Sequence, residues 1–318
     1  MTKGLRAGGL RFRAGQAGGH VTDAPGLRFG PRWPLPGRAR LVGGESTGSF
    51  VARLAHGNGL GLAEFLGRVG QGQASADPER VERYPQSTEM YVNEPGLRHL
   101  AVLSGLPAQM LRRALPSLAE QYVLPGGREA LWQWPWEAEN GYPVRRCALC
   151  GYARQIGEPV WLMSPQPWQV CLRHLRWTDD SRQEEPSFVD MRALPECVRA
   201  HQVRLRLVRR FKAAGSRAFA DASRVVRLWW AAAPEEPLWA ERAWRAGLGA
   251  RTARAVPLVI YPEAAALACS MLRFERGGRF GGPDRSRWLR EAEGLMAGAG
   301  LDCEVGRDEL LRWLEGRR

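Results

Sequence analysis

The sequence predicts a mainly α-helical protein, in which helix–turn–helix units flank a small ribbon or knuckle with short β-strands and a C-terminal helical unit follows. Two observations concern the helices: apolar residues recur at helical spacing in residues 44–118 and again in residues 188–231. The third is that residues 147–177, between these stretches, hold two close pairs of cysteine and histidine among glycines and prolines, which favours turns and short strands.

The first helical pair is predicted in residues 44–70. Ser46 or Thr47 can cap the N-terminus of a helix, and Asn58-Gly59 can stop it because both residues tolerate the left-handed conformation. Helical core packing is enough to explain the pair. The apolar residues at helical spacing are Phe50, Val51, Leu54 and Ala55 in the first helix and Leu62, Phe65 and Leu66 in the second.

Residues 95–118 predict a second helical pair with the pattern of a DNA-binding helix–turn–helix. Gly105 breaks the first helix at a tight turn, and Pro107 suits the first turn of the next helix. Ala101, four residues before Gly105, is small enough to let the two helices approach. Packing between helices or a protein contact is the alternative interpretation. The side chains that the second helix would present to DNA are Gln109, Arg112 and Arg113.

Two connecting stretches have less regular patterns. Residues 71–94 are polar and predict a loop, with a short helix near 77–84. Residues 121–146 are rich in aromatic side chains, for which core packing is favoured over base stacking. The tryptophans in question are Trp132, Trp134 and Trp136.

The most specific motif lies in residues 147–177. Cys147 and Cys150 form a C-x2-C pair, and Cys171 and His174 form a C-x2-H pair after 20 intervening residues. Each pair fits a tight turn, and together they supply the four ligands of a tetrahedral Zn²⁺ ion. Because four protein ligands close the shell, the motif predicts one structural zinc site. Unrelated core thiols and a redox dithiol are alternatives that the doubled spacing disfavours.

Glycine and proline disfavour a regular helix between the two pairs and predict a zinc ribbon or knuckle with strands near 160–163 and 168–170. Cysteine usage indicates a reducing, cytoplasmic compartment. Cys197 and His201 are four residues apart, but no second pair accompanies them, so no second metal site is predicted. The cysteines expected to be ordinary buried thiols are Cys197, Cys269 and Cys303.

The chain of 318 residues has a net charge of +13, and its basic residues are almost all arginine. Residues 1–40 hold 8 basic and 1 acidic residues, and residues 181–318 hold 25 and 18, so each segment carries +7. Arginine binds phosphate in a bidentate manner, and nucleic acid is the usual partner of such a charge, although solubility alone can explain it. No apolar run approaches 18 residues, which predicts no membrane span.

The densest basic run lies within the predicted helices of residues 188–231. It predicts contacts with a nucleic-acid backbone, with a solvated helix face as the alternative. Further helices are predicted at 238–248, 261–272, 286–296 and 307–315, with a short extended link at 257–259. The residues of the run are Arg204, Arg206, Arg209, Arg210, Lys212 and Arg217.

Four segments follow from these patterns. They are a flexible basic arm at 1–40, a helical domain at 41–140, a zinc ribbon at 141–180 and a basic helical domain at 181–318.

Three motifs together resemble the TniQ family of transposition proteins. They are GES-x2-SF-x2-RLA-x2-NGL at residues 44–60, HLAVLSGLP at residues 99–107, and C-x2-C followed by WQVC-x2-H, which ends at residue 174. The resemblance covers roughly residues 41–180. Four residues depart from it: Phe50 stands where Trp is common, Ala148 and Leu172 replace prolines, and Leu175 replaces a usual glycine.

The resemblance implies a non-catalytic accessory protein of DNA transposition in the bacterial cytoplasm. Such proteins select a target site, on DNA directly or through a guide-RNA effector complex, and recruit the transposon's AAA+ ATPase; some act as homodimers. The absence of a G-x4-GK-[ST] motif agrees with a chain that does not itself use a P-loop. A zinc-containing helix–turn–helix transcription regulator is the alternative. A zinc hydrolase acting on nucleic acid would need an open metal position.

Overall fold

The computed structural model describes residues 30–74, 89–135, 138, 140–180, 188–232, 236–249, 252–277, 284–298 and 304–316. Helices dominate this part of the chain, and three small sheets accompany them. None of the described helices is long and apolar enough to cross a membrane. The predictions for residues 1–29, for the helix near 77–84, for Trp136 and for Cys303 fall outside the described residues.

The first predicted helical pair consists of α1 (Thr47–His56) and α2 (Leu62–Val69). The side chain of Ser46 accepts a hydrogen bond from Ser49 N at 3.0 Å, which confirms the N-cap. The turn after α1 contains Gly59 at φ +66°, a left-handed conformation that glycine adopts without a Cβ clash. The apolar faces of both helices are buried in the N-terminal core.

The second pair consists of α3 (Glu94–Ser104) and α4 (Ala108–Ala114). Asn93 caps α3 by accepting a hydrogen bond from Gly96 N, and Gly105 ends α3 at φ +67°. The two helices and the turn between them are therefore confirmed. DNA recognition by this pair stays a prediction.

The described end of the predicted arm, residues 30–40, lies against these helices. Leu35 N donates a hydrogen bond to Leu103 O at 2.9 Å, and Gly37 N donates one to the Asn58 side chain at 2.7 Å. These bonds hold the chain on the N-terminal helices. The extent of the predicted flexible arm, residues 1–40, stays a prediction.

A three-stranded sheet completes the N-terminal core. Its strands are β1 (Gln71–Ala74), β2 (Tyr91–Val92) and β3 (Leu131–Trp134), and the central β3 runs parallel to β1 and antiparallel to β2. The loop predicted for residues 71–94 is wrong at β1 and β2. Their short sequences lack an alternating apolar pattern, and they form only by pairing with a distant strand. The tryptophans of β3 are buried, which agrees with core packing.

Glu89 is a fully buried carboxylate at the N-terminus of α1. Its Oε1 accepts hydrogen bonds from Gly48 N at 2.9 Å and from Met90 N at 2.7 Å. Its Oε2 and the Thr47 hydroxyl are both buried without a hydrogen-bond partner among the described residues. Burial raises the pKa of Glu89 from its ordinary value of 4.5 to about 7, although the backbone N–H groups oppose this effect.

We expect Glu89→Gln to stabilise the protein at pH 8 and to change little at pH 5. A raised pKa gives stability that is complete below pH 4.5 and is lost as the pH rises through about 7. The uncharged amide of the variant would remove that loss, which corresponds to about 3 kcal/mol for this pKa change. Urea unfolding at both pH values measures the difference in free energy of unfolding between variant and wild type. Glu64→Gln, on the exposed side of α2, is the control. An equal difference at pH 5 and pH 8 would contradict the titration of Glu89.

Two β-hairpins connect the N-terminal core to the C-terminal helices. The first pairs β4 (Tyr142–Arg145) with β5 (Trp161–Ser164), and the second pairs β6 (Trp168–Cys171) with β7 (Arg176–Asp179), which is joined by β8 (Val189–Asp190). The strands predicted near 160–163 and 168–170 are thus confirmed to within one residue. The first hairpin lies on α1, because Ser46 N donates to Trp161 O at 2.9 Å.

A buried ionic network fixes α1 to the first hairpin. Both oxygens of Glu45 accept hydrogen bonds from the Arg53 guanidinium, at 2.9 and 2.8 Å. Ser49 donates to Glu45 at 2.8 Å and accepts from Trp161 N at 3.0 Å. Glu45 is completely buried and Arg53 is 7% exposed. The GES-x2-SF-x2-R motif therefore has a structural role, because its side chains attach α1 to the first hairpin.

The C-terminal helices form a second core together with the second hairpin. The long helices α6 (Pro195–Phe211), α7 (Ala213–Ala232) and α10 (Tyr261–Gly277) pack on one another. The extended link predicted at 257–259 is wrong, because these residues belong to a helical turn, α9 (Val256–Val259). The remaining helices are α8 (Pro237–Arg245), α9 (Val256–Val259), α11 (Arg285–Ala297) and α12 (Glu304–Glu315).

Candidate metal centre and nucleic-acid interface

The first cysteine pair is formed where the chain leaves β4 and begins a short helix, α5 (Ala148–Tyr152). Cys147 lies at the N-terminus of α5, and Cys150 N donates to Cys147 O at 3.0 Å. This turn brings the two thiols together. No regular helix was predicted between the two ligand pairs. The helix α5 extends only two residues past Cys150 into this stretch, and the rest of the stretch contains no helix.

The second pair lies in the turn of the second hairpin. Cys171 is the last residue of β6, and His174 lies in the turn before β7. Leu175 ends that turn with φ +50°, a conformation that strains residues with a Cβ atom. This backbone geometry gives a physical reason for the glycine that is usual at the corresponding position of the family noted above.

The four side chains converge as one group, here called the Cys/His cluster. Nδ1 of His174 lies 3.5 Å from Cys147 Sγ, 3.3 Å from Cys150 Sγ and 3.5 Å from Cys171 Sγ. All four ligand atoms lie within 4.8 Å of one another. A tetrahedral ion bound at about 2.3 Å from sulfur and 2.0–2.1 Å from nitrogen requires ligand atoms roughly 3.5 Å apart. The Cys/His cluster could therefore bind one metal ion.

The chemistry of the cluster also favours a cation. Burial, together with the neighbouring Cys171 and Cys147 sulfurs, raises the pKa of Cys150 to about 11. Three thiols gathered this closely cannot all ionise unless a positive charge lies among them. Four protein ligands would complete a tetrahedral shell and leave no position for water or substrate. An ion bound with such a closed shell would therefore be structural.

An ion in the Cys/His cluster would connect the two halves of the molecule. Its first pair lies between β4 and β5 of the hairpin that is fixed on α1, and its second pair belongs to the hairpin of the C-terminal core. Trp168 and Trp177 of that hairpin stack at 4.3 Å, and both contact Tyr261 of α10 edge to face. The Cys/His cluster thus lies between the two cores, where a bound ion would link them.

Cys197 and His201, four residues apart on α6, have separate structural roles. Cys197 Sγ donates to Leu258 O at 3.5 Å, and His201 Nδ1 lies 2.8 Å from the Tyr261 hydroxyl. Burial lowers the pKa of His201 to about 4, so its ring is neutral at physiological pH. Within the described ranges the Cys/His cluster is the one group with the spacing of a metal site.

Most of the predicted basic run lies on the outer surface of α6 and α7. Arg206, Arg209 and Arg210 are exposed on α6, and Arg217 is exposed on α7. Lys212 is exposed at the junction of the two helices, where it has φ +50°. None of these five residues forms an ion pair with a residue that the structure describes. They are called the basic face below.

Arg204, the sixth residue of the run, has a different environment. Its guanidinium lies 4.8 Å from the ring centroid of Trp168 and 4.8 Å from that of Phe219. These cation–π contacts join the second hairpin to α7. Sequence spacing did not distinguish Arg204 from its neighbours, because the aromatic partners come from distant parts of the chain.

The predicted recognition helix, α4, presents two of its three predicted contact residues. Gln109 and Arg113 are exposed, whereas Arg112 is partly buried and forms an ion pair with Glu94 of α3. A side chain at Gly105 would lie 3.3 Å from Pro34, so the N-terminal segment passes beside the turn between α3 and α4, although Gly105 itself is exposed.

Three further arginines extend the basic face but were not singled out from the sequence. They lie at helical spacing on the exposed sides of α6 and α7, a pattern that could have identified them. Arg224 lies 3.7 Å from Asp221, and because the Arg224 side chain is 62% exposed this pair contributes little to stability. The three residues are Arg199, Arg224 and Arg227.

Comparison with protein-family models matches residues 36–176 to TniQ. The matched region contains α1 to α4, the buried Glu45–Arg53 pair and all four residues of the Cys/His cluster. Neither the curated proteins nor the solved structures gave a match to the chain.

Proposed function

Because its residues 36–176 make this chain a member of the TniQ family, we propose that it selects the target site for DNA transposition and recruits the transposon's AAA+ ATPase. The family match indicates a transposition-associated accessory protein, and TniQ proteins are generally non-catalytic. In this proposal the chain binds DNA and the ATPase, and its partners carry out strand transfer.

The proposal assigns a structural Zn²⁺ ion to the Cys/His cluster. Three thiolates and one imidazole form a soft ligand set that suits zinc, and their separations suit a tetrahedral ion. The ion would supply a cross-link between the two cores. The recognition surfaces would then keep a fixed relative position.

The basic face of α6 and α7 is the observation that supports the proposed DNA contact. Its five exposed cations are accompanied on these two helices by only two acidic residues, Glu196 and Asp221. Glu196 lies beside Arg242 and Arg245, and Asp221 lies beside Arg224, so both are close to other arginines. The basic face therefore keeps its positive charge, which attracts a phosphate backbone.

We expect the triple variant Arg206→Gln, Arg209→Gln and Arg210→Gln to bind duplex DNA about tenfold or more weakly at moderate salt. Removal of three phosphate contacts lowers the slope of log affinity against log salt by up to about 2.7. The matched control is Arg285→Gln, Arg287→Gln and Arg290→Gln on α11, because all three residues are exposed and the net charge change is identical. Fluorescence anisotropy over a salt series measures both variants.

Equal losses in the two triple variants would contradict a specific role for the basic face. Pull-down of the AAA+ ATPase should succeed with wild type and with the α6 triple variant, and failure with wild type would contradict recruitment. The transcription-regulator alternative rests on the exposed Gln109 and Arg113 of α4. If Gln109→Ala with Arg113→Ala abolished DNA binding while the α6 triple variant did not, that alternative would be favoured.

A further inference from the structure

The junction between α6 and α7 has a strained backbone. Lys212, the single residue between the two helices, has φ +50° and ψ −126°, which lies outside the regions that residues with a Cβ atom favour. Gly215 packs so closely on α6 that a Cβ atom there would lie 2.5 Å from Leu207 O. The two helices therefore approach tightly at this tip, and the turn between them leaves Lys212 in a conformation that suits glycine.

The fold alone gives no reason for lysine at residue 212. Five of the eight described residues with positive φ are glycine, which avoids the strain. Apart from Lys212, the described residues contain arginine and no lysine. Strained residues concentrate at ligand-binding sites, where the bound partner requires the side chain. The conformation of Lys212 therefore indicates a requirement for its amine.

Two arginines from different helices meet beside Lys212. The guanidinium of Arg210 lies 5.4 Å from the ring centroid of Phe211, and that of Arg276, in the last turn of α10, lies 5.1 Å from the same centroid. Arg210, Lys212 and Arg276 are exposed, and none of them forms an ion pair with a residue that the structure describes. These three residues are called the tip cluster below.

The helix ends explain only part of the tip cluster. The C-terminus of a helix carries a partial negative charge, which favours one arginine at the end of α6 and another at the end of α10. It does not account for two guanidiniums on one phenylalanine ring beside an amine on a strained backbone. Like charges repel at such separations, and an anion among them would offset the repulsion. Phosphate oxygens form strong charge-assisted hydrogen bonds with both arginine and lysine.

We propose that the tip cluster contacts the phosphate backbone of DNA, so that the DNA crosses the end of α10 as well as the basic face of α6 and α7. The inference rests on the proposed DNA contact and adds to it Arg276, a residue of a third helix. Continuity of charge favours DNA over an acidic protein segment, because Arg210 and Lys212 also belong to the basic face. Each phosphate that the protein neutralises contributes about 0.9 to the slope of log affinity against log salt.

The test measures binding of duplex DNA to the full chain by fluorescence anisotropy at about 50 and 200 mM salt. Over this range wild type should lose about 3.5-fold more affinity than Arg276→Gln, because the variant lacks one phosphate contact. Arg273→Gln is the matched control. Arg273 is exposed one turn earlier on α10, but its guanidinium lies 3.4 Å from Glu291, so this variant should keep the salt dependence of wild type.

Two substitutions separate the amine of Lys212 from its backbone conformation. Lys212→Ala and Lys212→Gly both remove the amine, so both should reduce the salt dependence as Arg276→Gln does. Only glycine relieves the strain, so Lys212→Gly should unfold at a higher urea concentration than Lys212→Ala. Equal or lower stability of Lys212→Gly would contradict strain at the tip and remove the argument for the amine.

The remaining outcomes separate the tip cluster from the proposed function. Wild-type salt dependence in Arg276→Gln, or an equal reduction in Arg273→Gln, overturns the tip cluster and leaves the proposed DNA contact of the basic face intact. Absence of duplex binding by wild type overturns both. Loss of ATPase pull-down in Arg276→Gln with unchanged DNA binding would assign the cluster to an acidic protein surface and overturn the DNA contact at the tip.

Discussion

Replacement of Cys150 by serine should remove the bound metal and lower the free energy of unfolding by an amount on the order of 5 kcal/mol, because ligand binding at a structural site is coupled to folding. The melting temperature should fall by roughly 10 °C. Elemental analysis should find about one zinc per wild-type chain and a much reduced content in the variant. Chelation of wild type should reproduce the loss, and the chelator should have little further effect on the variant.

Cys269→Ser provides the control, since Cys269 lies on α10 outside the Cys/His cluster and is only partly buried. It should change stability by less than about 1 kcal/mol and leave the metal content unchanged. Limited proteolysis gives an independent readout, because loss of the ion should expose the chain between the two hairpins. A Cys150→Ser protein that melts like wild type, from a parent that co-purifies with no metal, would disprove the zinc assignment.

Arg53→Ala should cost about 3–5 kcal/mol, because it leaves the Glu45 carboxylate buried without its counter-ion. The loss should shrink as the pH falls. Burial already raises the pKa of Glu45, and removal of the guanidinium raises it further, so protonation abolishes the uncompensated charge. Chemical denaturation at pH 5 and pH 8 measures both the size of the loss and its pH dependence.

The adjacent helix supplies a matched control pair. Arg68 and Glu64 of α2 lie at 2.7 Å but are 40% and 55% exposed, so Arg68→Ala should cost less than about 1 kcal/mol. Combining Arg53→Met with Glu45→Gln should recover part of the stability lost in Arg53→Ala, since no buried charge remains. Similar losses in free energy of unfolding for Arg53→Ala and Arg68→Ala would show that the buried pair does not stabilise the attachment of α1 to the first hairpin.

Local patterns in the sequence predicted the helices and the Cys/His cluster well. The helices α1 to α4 are specified by apolar spacing, by an N-cap at Ser46 and by a left-handed glycine at Gly105, all of which act within a few residues. The cluster was predictable because each ligand pair occupies one short turn.

Features that depend on distant contacts were missed. The strand β1 is polar and forms through pairing with β3, and the helical turn α9 forms against the C-terminal core. Arg204 resembles the other arginines of its run in sequence, yet Trp168 and Phe219 hold its guanidinium.

The position of Lys212 has a practical consequence for experiments on DNA binding. Lysine occurs only at residues 3 and 212 of the chain, and Lys212 is exposed at the tip between α6 and α7, within the basic face. Amine-selective reagents do not modify the surrounding arginines. Among the described residues Lys212 is therefore the single lysine, a built-in chemical reporter at this surface, and DNA lying across α6 and α7 would shield its amine from acylation.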